Sequence, residues 1–243
     1  MSKLRVQKII ASAGICSRRK AEDLLIQARV EINGKTAKLG DKADPEIDQI
    51  LLDSNPIITS CSYKLILLNK PKGIISTCHD NQGRVTILDL LPQNLKKGLY
   101  PIGRLDMDSR GAILLTNHGQ LTMELTHPSY SHKKTYHVLI QGIPSENTLE
   151  EWRNGVILNG IITRKASVDL LDSTKNRSLL EITLQEGRNR QIRKTAELLG
   201  HKVIDLKRTA IGGLKLNSLK EGDWRQLQEV EWNSLRDKSI YQC

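Results

Sequence analysis

Phenylalanine is absent from this 243-residue chain, and aromatic residues make up only 3% of it. The core must therefore be built from Ile, Leu and Val, and any stacking on a planar ligand falls to a few Tyr, Trp or His side chains. Cysteine is sparse as well. Cys16, Cys61, Cys78 and Cys243 show no CxxC or other short paired spacing, which argues against zinc and redox motifs and fits reduced thiols in the cytosol. No apolar run approaches the roughly 20 residues of a membrane span. The charged start Met1-Ser2-Lys3-Leu4-Arg5 has no signal-peptide core after it. The expectation is a cytoplasmic protein without membrane contact. Acidic residues are also in short supply. Against 27 Asp and Glu stand 37 Lys and Arg, a net charge of +10, which favours a polyanionic partner.

Residues 3–53 read as a small separate unit. Leu4, Val6, Ile9, Ile10 and Ala13 recur at helical spacing up to Gly14. Ser17 is placed to cap a second helix from Arg18 to Ala28. A strand at Val30–Ile32, the hairpin signal Asn33-Gly34 and a strand at 48–53 follow. Ser54-Asn55-Pro56, with Ser60 and Ser62, reads as a linker. Division falls at 1–60 and 61–243. Beyond it, strands are expected at 63–69, 112–116, 134–141, 166–171 and 178–185. Helices are expected at 86–91, 119–126, 145–154 and 189–199. Without a regular βαβ repeat, the fold class is α+β with a mixed, largely antiparallel central sheet.

Three clusters carry chemistry. Arg18, Arg19 and Lys20 crowd a helix start, where cations oppose the helix dipole. That placement is favourable if a phosphate binds there. In Glu186-Gly187-Arg188-Asn189-Arg190-Gln191-Ile192-Arg193-Lys194, the cations Arg190, Arg193 and Lys194 share one helical face. From 186 to 215 eight Lys or Arg face three acids, half the excess charge of the chain. A phosphate-lined groove is the functional reading. Asp106 stands on a short polar turn before the aliphatic run Ala112-Ile113-Leu114-Leu115-Thr116, with Arg104 and Arg110 near it. A carboxylate fixed there, with a cationic neighbour to keep it ionised, is a candidate nucleophile or base.

These segments resemble known families. Residues 3–53, through Ile9-Ile10-Ala11-Ser12-Ala13-Gly14, Ser17-Arg18-Arg19 and Arg29-Val30-Glu31-Ile32-Asn33-Gly34-Lys35, resemble an S4 RNA-binding domain. Ala28 stands where that family usually has Gly. The remainder presents, in order, Asn69-Lys70-Pro71, Gly73, Gly83-Arg84, Thr86-Ile87, Asp89-Leu90, Pro92, Gly103-Arg104-Leu105-Asp106, Ser109, Gly111, Leu114-Leu115-Thr116-Asn117, Gly119, His127-Pro128 and Lys134-Thr135-Tyr136. This series resembles the RsuA family of pseudouridine synthases. His118, at a position often acidic, and Ala112, at a position often Leu, depart from the pattern.

The resemblance implies an S4-like domain followed by a catalytic domain that isomerises uridine in ribosomal RNA or a ribosomal assembly intermediate. The two-domain layout and Ala37-Lys38-Leu39-Gly40 lean towards large-subunit 23S rRNA over the small subunit. The chemistry breaks the N-glycosidic bond, turns the base and rejoins it through carbon, so no cofactor is implied. The target base must leave its stack, at a cost of a few kcal/mol. The implied catalytic set is Asp106, Arg193 as its pairing arginine, and Tyr136 against the base. Whether Asp106 attacks sugar or base, or abstracts a proton, stays open. RNA contacts are expected from Arg18, Arg19, Lys20, Arg29, Lys70, Arg104, Arg188, Arg190 and Lys194. Nothing demands more than a monomer. Two competing readings are a non-catalytic RNA-binding ribosome-assembly protein and, from Asp106-Met107-Asp108-Ser109, a haloacid-dehalogenase-type phosphatase using magnesium.

Overall fold

The computed structural model describes residues 3–58, 63–126 and 132–236. Ser60, Ser62 and the His127-Pro128 pair lie outside them. The first unit packs helices Val6–Ser12 and Arg18–Ile26 against a four-stranded antiparallel sheet. Its own core includes Val6, Ile9, Ile10, Ala21, Leu25 and Val30. Ser17 caps the second helix, its Oγ accepting from the Lys20 amide at 3.2 Å. Asn33 and Gly34 take φ values of 49° and 74°, as a two-residue hairpin turn requires. Ala28 adopts φ 57°, so a residue with a Cβ occupies the left-handed turn usually given to glycine.

The linker reading of Ser54-Asn55-Pro56 is corrected. Asp53 and Ser54 form a left-handed turn, and Asn55–Pro56 pairs back on Ile50–Leu52. Polar turn chemistry marks a hairpin as readily as a linker, and only pairing separates the two.

The second unit is built on a nine-stranded sheet, counted among the described residues. Its seven principal strands are β1 (Leu65–Lys70), β2 (Arg110–Thr116), β3 (Lys134–Gln141), β4 (Ser167–Thr174), β5 (Arg177–Leu184), β6 (Val203–Ile211) and β7 (Trp224–Gln226). They lie in the order β4-β5-β3-β6-β2-β1-β7, with Tyr100–Ile102 added on β2 and Leu214–Lys215 on β6. The pairings are antiparallel except β6 with β2. The architecture is thus α+β with a mixed, largely antiparallel sheet. One apolar layer, including Ile66, Leu68, Ile113, Val138 and Ile182, covers one face. Another, including Leu65, Leu67, Leu114, Leu121 and Leu235, covers the opposite face. β1 is buried on both sides, and its continuous Leu-Ile-Leu-Leu run suits that place.

Elements not expected include β6, β7, the hairpin of Ile157–Leu158 with Ile161–Ile162, and the helix Glu229–Arg236. β6 carries Asp205, Lys207 and Arg208 within its span, which hides its strand character. The expected helix at 86–91 is a 3-10 turn, Ile87–Leu90, closed by Thr86 and Asp89 as a capping box. His118 compensates for its departure from the family pattern. Its Nδ1 accepts from the Leu121 amide at 3.0 Å, as an acidic side chain would at the start of helix Gly119–Thr126.

The two units touch at a pair of glycines. A Cβ on Gly14 would lie 3.0 Å from the Gly98 amide nitrogen, and both residues have positive φ. No helix among the described residues is long and apolar enough to cross a membrane.

Candidate active site

The site is assembled where β2 and β6 run parallel. Arg110 aligns with Lys207 and Gly111 with Arg208, so the turn that enters β2 sits beside the middle of β6. Gly111 is required there. At φ 110°, an added Cβ would lie 2.2 Å from the Arg208 carbonyl oxygen.

That turn carries Asp106, and its backbone is held at every step. Ser76 Oγ bonds both the amide and the carbonyl of Leu105, at 3.1 and 2.8 Å. The Ser109 amide donates to the Asp106 carbonyl at 3.0 Å, and the Gly73 amide to that of Met107 at 2.8 Å. Arg193 Nη2 donates to the Asp108 carbonyl at 2.9 Å. Lys70 Nζ donates to the Ser109 carbonyl at 2.8 Å. A carboxylate on so constrained a turn is pre-organised for chemistry.

Asp106 opens into a cleft of about 570 Å³. Its walls include Arg104, His132, Lys134, Tyr136, Arg190 and Arg208, with aliphatic side chains of Ile102, Leu125, Leu184, Leu206 and Ile211. Tyr136 is only 8% exposed yet lines this cleft. It is therefore both a core aromatic and a pocket wall. It faces Arg208 directly across β3 and β6.

The arginine pairing differs from the expected one. Arg190, not Arg193, reaches Asp106, with Nη1 at 3.4 Å from Oδ2. Arg190 also chelates Asp108 at 3.1 and 3.0 Å, and this pairing holds the Asp108 carboxyl below its usual range. Arg193 lies under the turn, its Nε 3.3 Å from Asp108 Oδ2. The reason is local. Arg190 takes φ 52° just before helix Gln191–Leu198, which directs it away from the helical face expected for it alongside Arg193 and Lys194.

Other expected RNA contacts divide. Arg18, Arg19 and Lys20 are exposed on the first unit, and Arg104 is exposed at the cleft rim. Lys194 is half-buried and outside the cleft lining. Lys70 must be withdrawn from the list. It is fully buried, spanning Pro71 O and Ser109 O, and burial lowers its pKa to about 8. Arg29 is engaged by Asp53 through two bonds of 2.8 and 2.5 Å. Arg188 ties Glu186 to the carbonyls of Ile161 and Ile162. Arg110 turns away from Asp106 and pairs with Asp205 and Glu221. Sequence reasoning counted Arg208 only as charge and passed over Lys134 as a cleft residue. The signal available was Lys134 two positions before Tyr136 on one strand.

A basic cleft around a fixed carboxylate, joined to a small RNA-binding fold, defines an RNA-modifying enzyme. The model of the RNA pseudouridylate synthase family matches residues 64–198, and that of the S4 domain matches residues 4–46. The chain belongs to the RNA pseudouridylate synthase family. It is 41% identical to ribosomal large subunit pseudouridine synthase B of Bacillus subtilis (strain 168), over 96% of this chain and 95% of that one. It is 38% identical to the dual-specificity RNA pseudouridine synthase RluF of Escherichia coli (strain K12), over 95% of this chain and 77% of the relative. A solved pseudouridylate synthase structure superposes with a TM-score of 0.70 at 32% identity, covering 96% of this chain and 99% of that one.

Proposed function

We propose that this chain converts a specific uridine of large-subunit ribosomal RNA to pseudouridine, with Asp106 as the catalytic carboxylate. The observation that carries this is a carboxylate on a fully bonded turn, opening into a nucleoside-sized cleft beside Tyr136. The similarity to the Bacillus enzyme named for the large subunit supports the substrate.

In this reading the units divide at 1–60 and 61–243. The exposed cations Arg18, Arg19 and Lys20 hold RNA phosphates, and Arg104 does the same at the rim. Phosphate contacts offset the few kcal/mol needed to swing the base out. Tyr136 stacks on the uracil. Arg190 pairs with Asp106 and aims it, while Arg193 fixes the turn beneath it. The protein acts as a monomer in the cytoplasm, and the reaction, being an isomerisation, uses no cofactor.

The test is to map pseudouridine in ribosomal RNA from cells with and without the gene, by carbodiimide-induced primer stops. One stop in large-subunit RNA should vanish with the gene and return when it is restored. Identical maps would refute the proposal.

A further inference from the structure

Two cleft cations have no part in the chemistry so far. Lys134 and Arg208 both line the cleft, and no carboxylate pairs with either among the described residues. Arg208 is 4% exposed. Its Nε is fixed on the Ala112 carbonyl at 2.6 Å, and its Nη2 is buried without a hydrogen-bond partner. The Lys134 ammonium makes one bond, to the His132 carbonyl at 3.1 Å, leaving donors to spare. Burial and the charge of Arg208 lower its pKa to about 8. Placing a buried and a half-buried cation side by side without a carboxylate is costly. Such an arrangement is favourable only when negative charge arrives.

We propose that Lys134 and Arg208 form the cationic floor of the base pocket and hold the negative charge that builds on uracil while it is detached from the sugar. This deepens the proposed function and rests on it. When C1′–N1 breaks, the bonding electron pair leaves with the ring and spreads over N1, O2 and O4, while the electron deficit at C1′ is met by the Asp106 carboxylate in the same cleft. When C1′–C5 forms, C5 loses its proton and N1 gains one, so the isomerisation is neutral overall. The intermediate anion is the species an electrostatic floor stabilises more than the bound ground state. Lys134 is the catalytic residue of the pair, donating to a uracil carbonyl. Arg208, locked by Ala112, positions and adds charge from below. The surroundings favour a base over a phosphodiester. Leu206, Ile211 and Tyr136 border the pair, and a flat ring with delocalised charge suits that wall. The phosphate suits exposed Arg104 at the rim.

The experiment uses the purified full chain and ribosomal RNA carrying [5-³H]uridine. Single-turnover rates at saturating enzyme are compared with filter-binding affinities for wild type, Lys134→Met, Lys134→Arg and Arg208→Met. Both Met variants should lose about 100-fold or more in rate, with RNA affinity changed less than about threefold. Lys134→Arg should stay within about tenfold of wild type, because the charge is kept. Lys134→Met should melt at or above the wild-type temperature, since a half-buried cation without a carboxylate partner is removed. Unchanged saturating rates with affinity weakened about tenfold would overturn the proposal in favour of a phosphate anchor. Rate loss with a melting temperature several degrees lower in Lys134→Met would overturn it in favour of a structural role. A wild-type chain that releases no tritium overturns the proposed function itself, and this inference with it.

Discussion

Replacing Lys70 by Met should change how stability responds to alkaline pH. Lys70 is fully buried under the Asp106 turn. Burial moves its pKa from 10.5 to about 8, against the opposing pull of Asp108 and Asp106. The unfolded lysine keeps its proton up to pH 10.5, while the folded one releases it above about 8. Between those values the unfolded chain binds more protons, so stability rises with pH. At pH 7 the penalty for holding the ammonium inside is about 3 kcal/mol. It shrinks to about 2 kcal/mol at pH 9 and about 1 kcal/mol at pH 10. Lys134 has a similarly lowered pKa, but it titrates in both proteins and cancels in the comparison. Urea unfolding of wild type and Lys70→Met at pH 7, 8, 9 and 10 reads the difference. Wild type should gain about 2 kcal/mol on the variant across that range. The variant will start with its own loss from the freed Pro71 and Ser109 carbonyls, which offsets the curves without altering their divergence. Parallel curves would show that the buried lysine is not held at a cost, and the reasoning would fail.

Further predictions concern the same turn and its supports. Gly111→Ala forces a Cβ against the Arg208 backbone and should destabilise the chain by at least about 3 kcal/mol; an unchanged melting temperature would contradict the packing of β2 on β6. Arg190→Ala should lower turnover by about 10- to 100-fold with little loss of stability, whereas Arg193→Ala should lower both turnover and melting temperature, because Arg193 braces the Asp108 backbone. Wild-type rates in both would remove the arginines from the site. Asp205 is pushed up by burial but held at about 2 by its bonds to Arg110 and Lys72. Its contribution of about 2 kcal/mol is present above pH 4 and lost towards pH 2, so Asp205→Asn should flatten the acid side of the stability profile.

The sequence revealed most of the fold where apolar spacing and polar punctuation agree. β1 and β2 are continuous aliphatic runs, and β3 and β5 alternate cleanly. β6 escaped detection because three charged residues interrupt it, and two of them have a tertiary reason. Asp205 answers Arg110 and Lys72, while Arg208 faces the cleft. Long-range partners of that kind leave no periodic trace. The motif around Asp106 named the candidate carboxylate, but not its neighbours. Arg190 and Arg193 stand three positions apart on a helical reading, and only the left-handed φ of Arg190 decides which one reaches Asp106. Lys70 lies in a family-like Asn-Lys-Pro motif and reads as an RNA contact. It is the last residue of a strand buried on both faces, and burial turned a surface expectation into a support.

The central claim is that the carboxylate of Asp106 performs the isomerisation. The direct measurement is pseudouridine yield from purified Asp106→Asn acting on unmodified ribosomal RNA, with RNA affinity measured on the same sample. The account predicts no product with affinity within a few-fold of wild type. Substantial pseudouridine from that variant would contradict it.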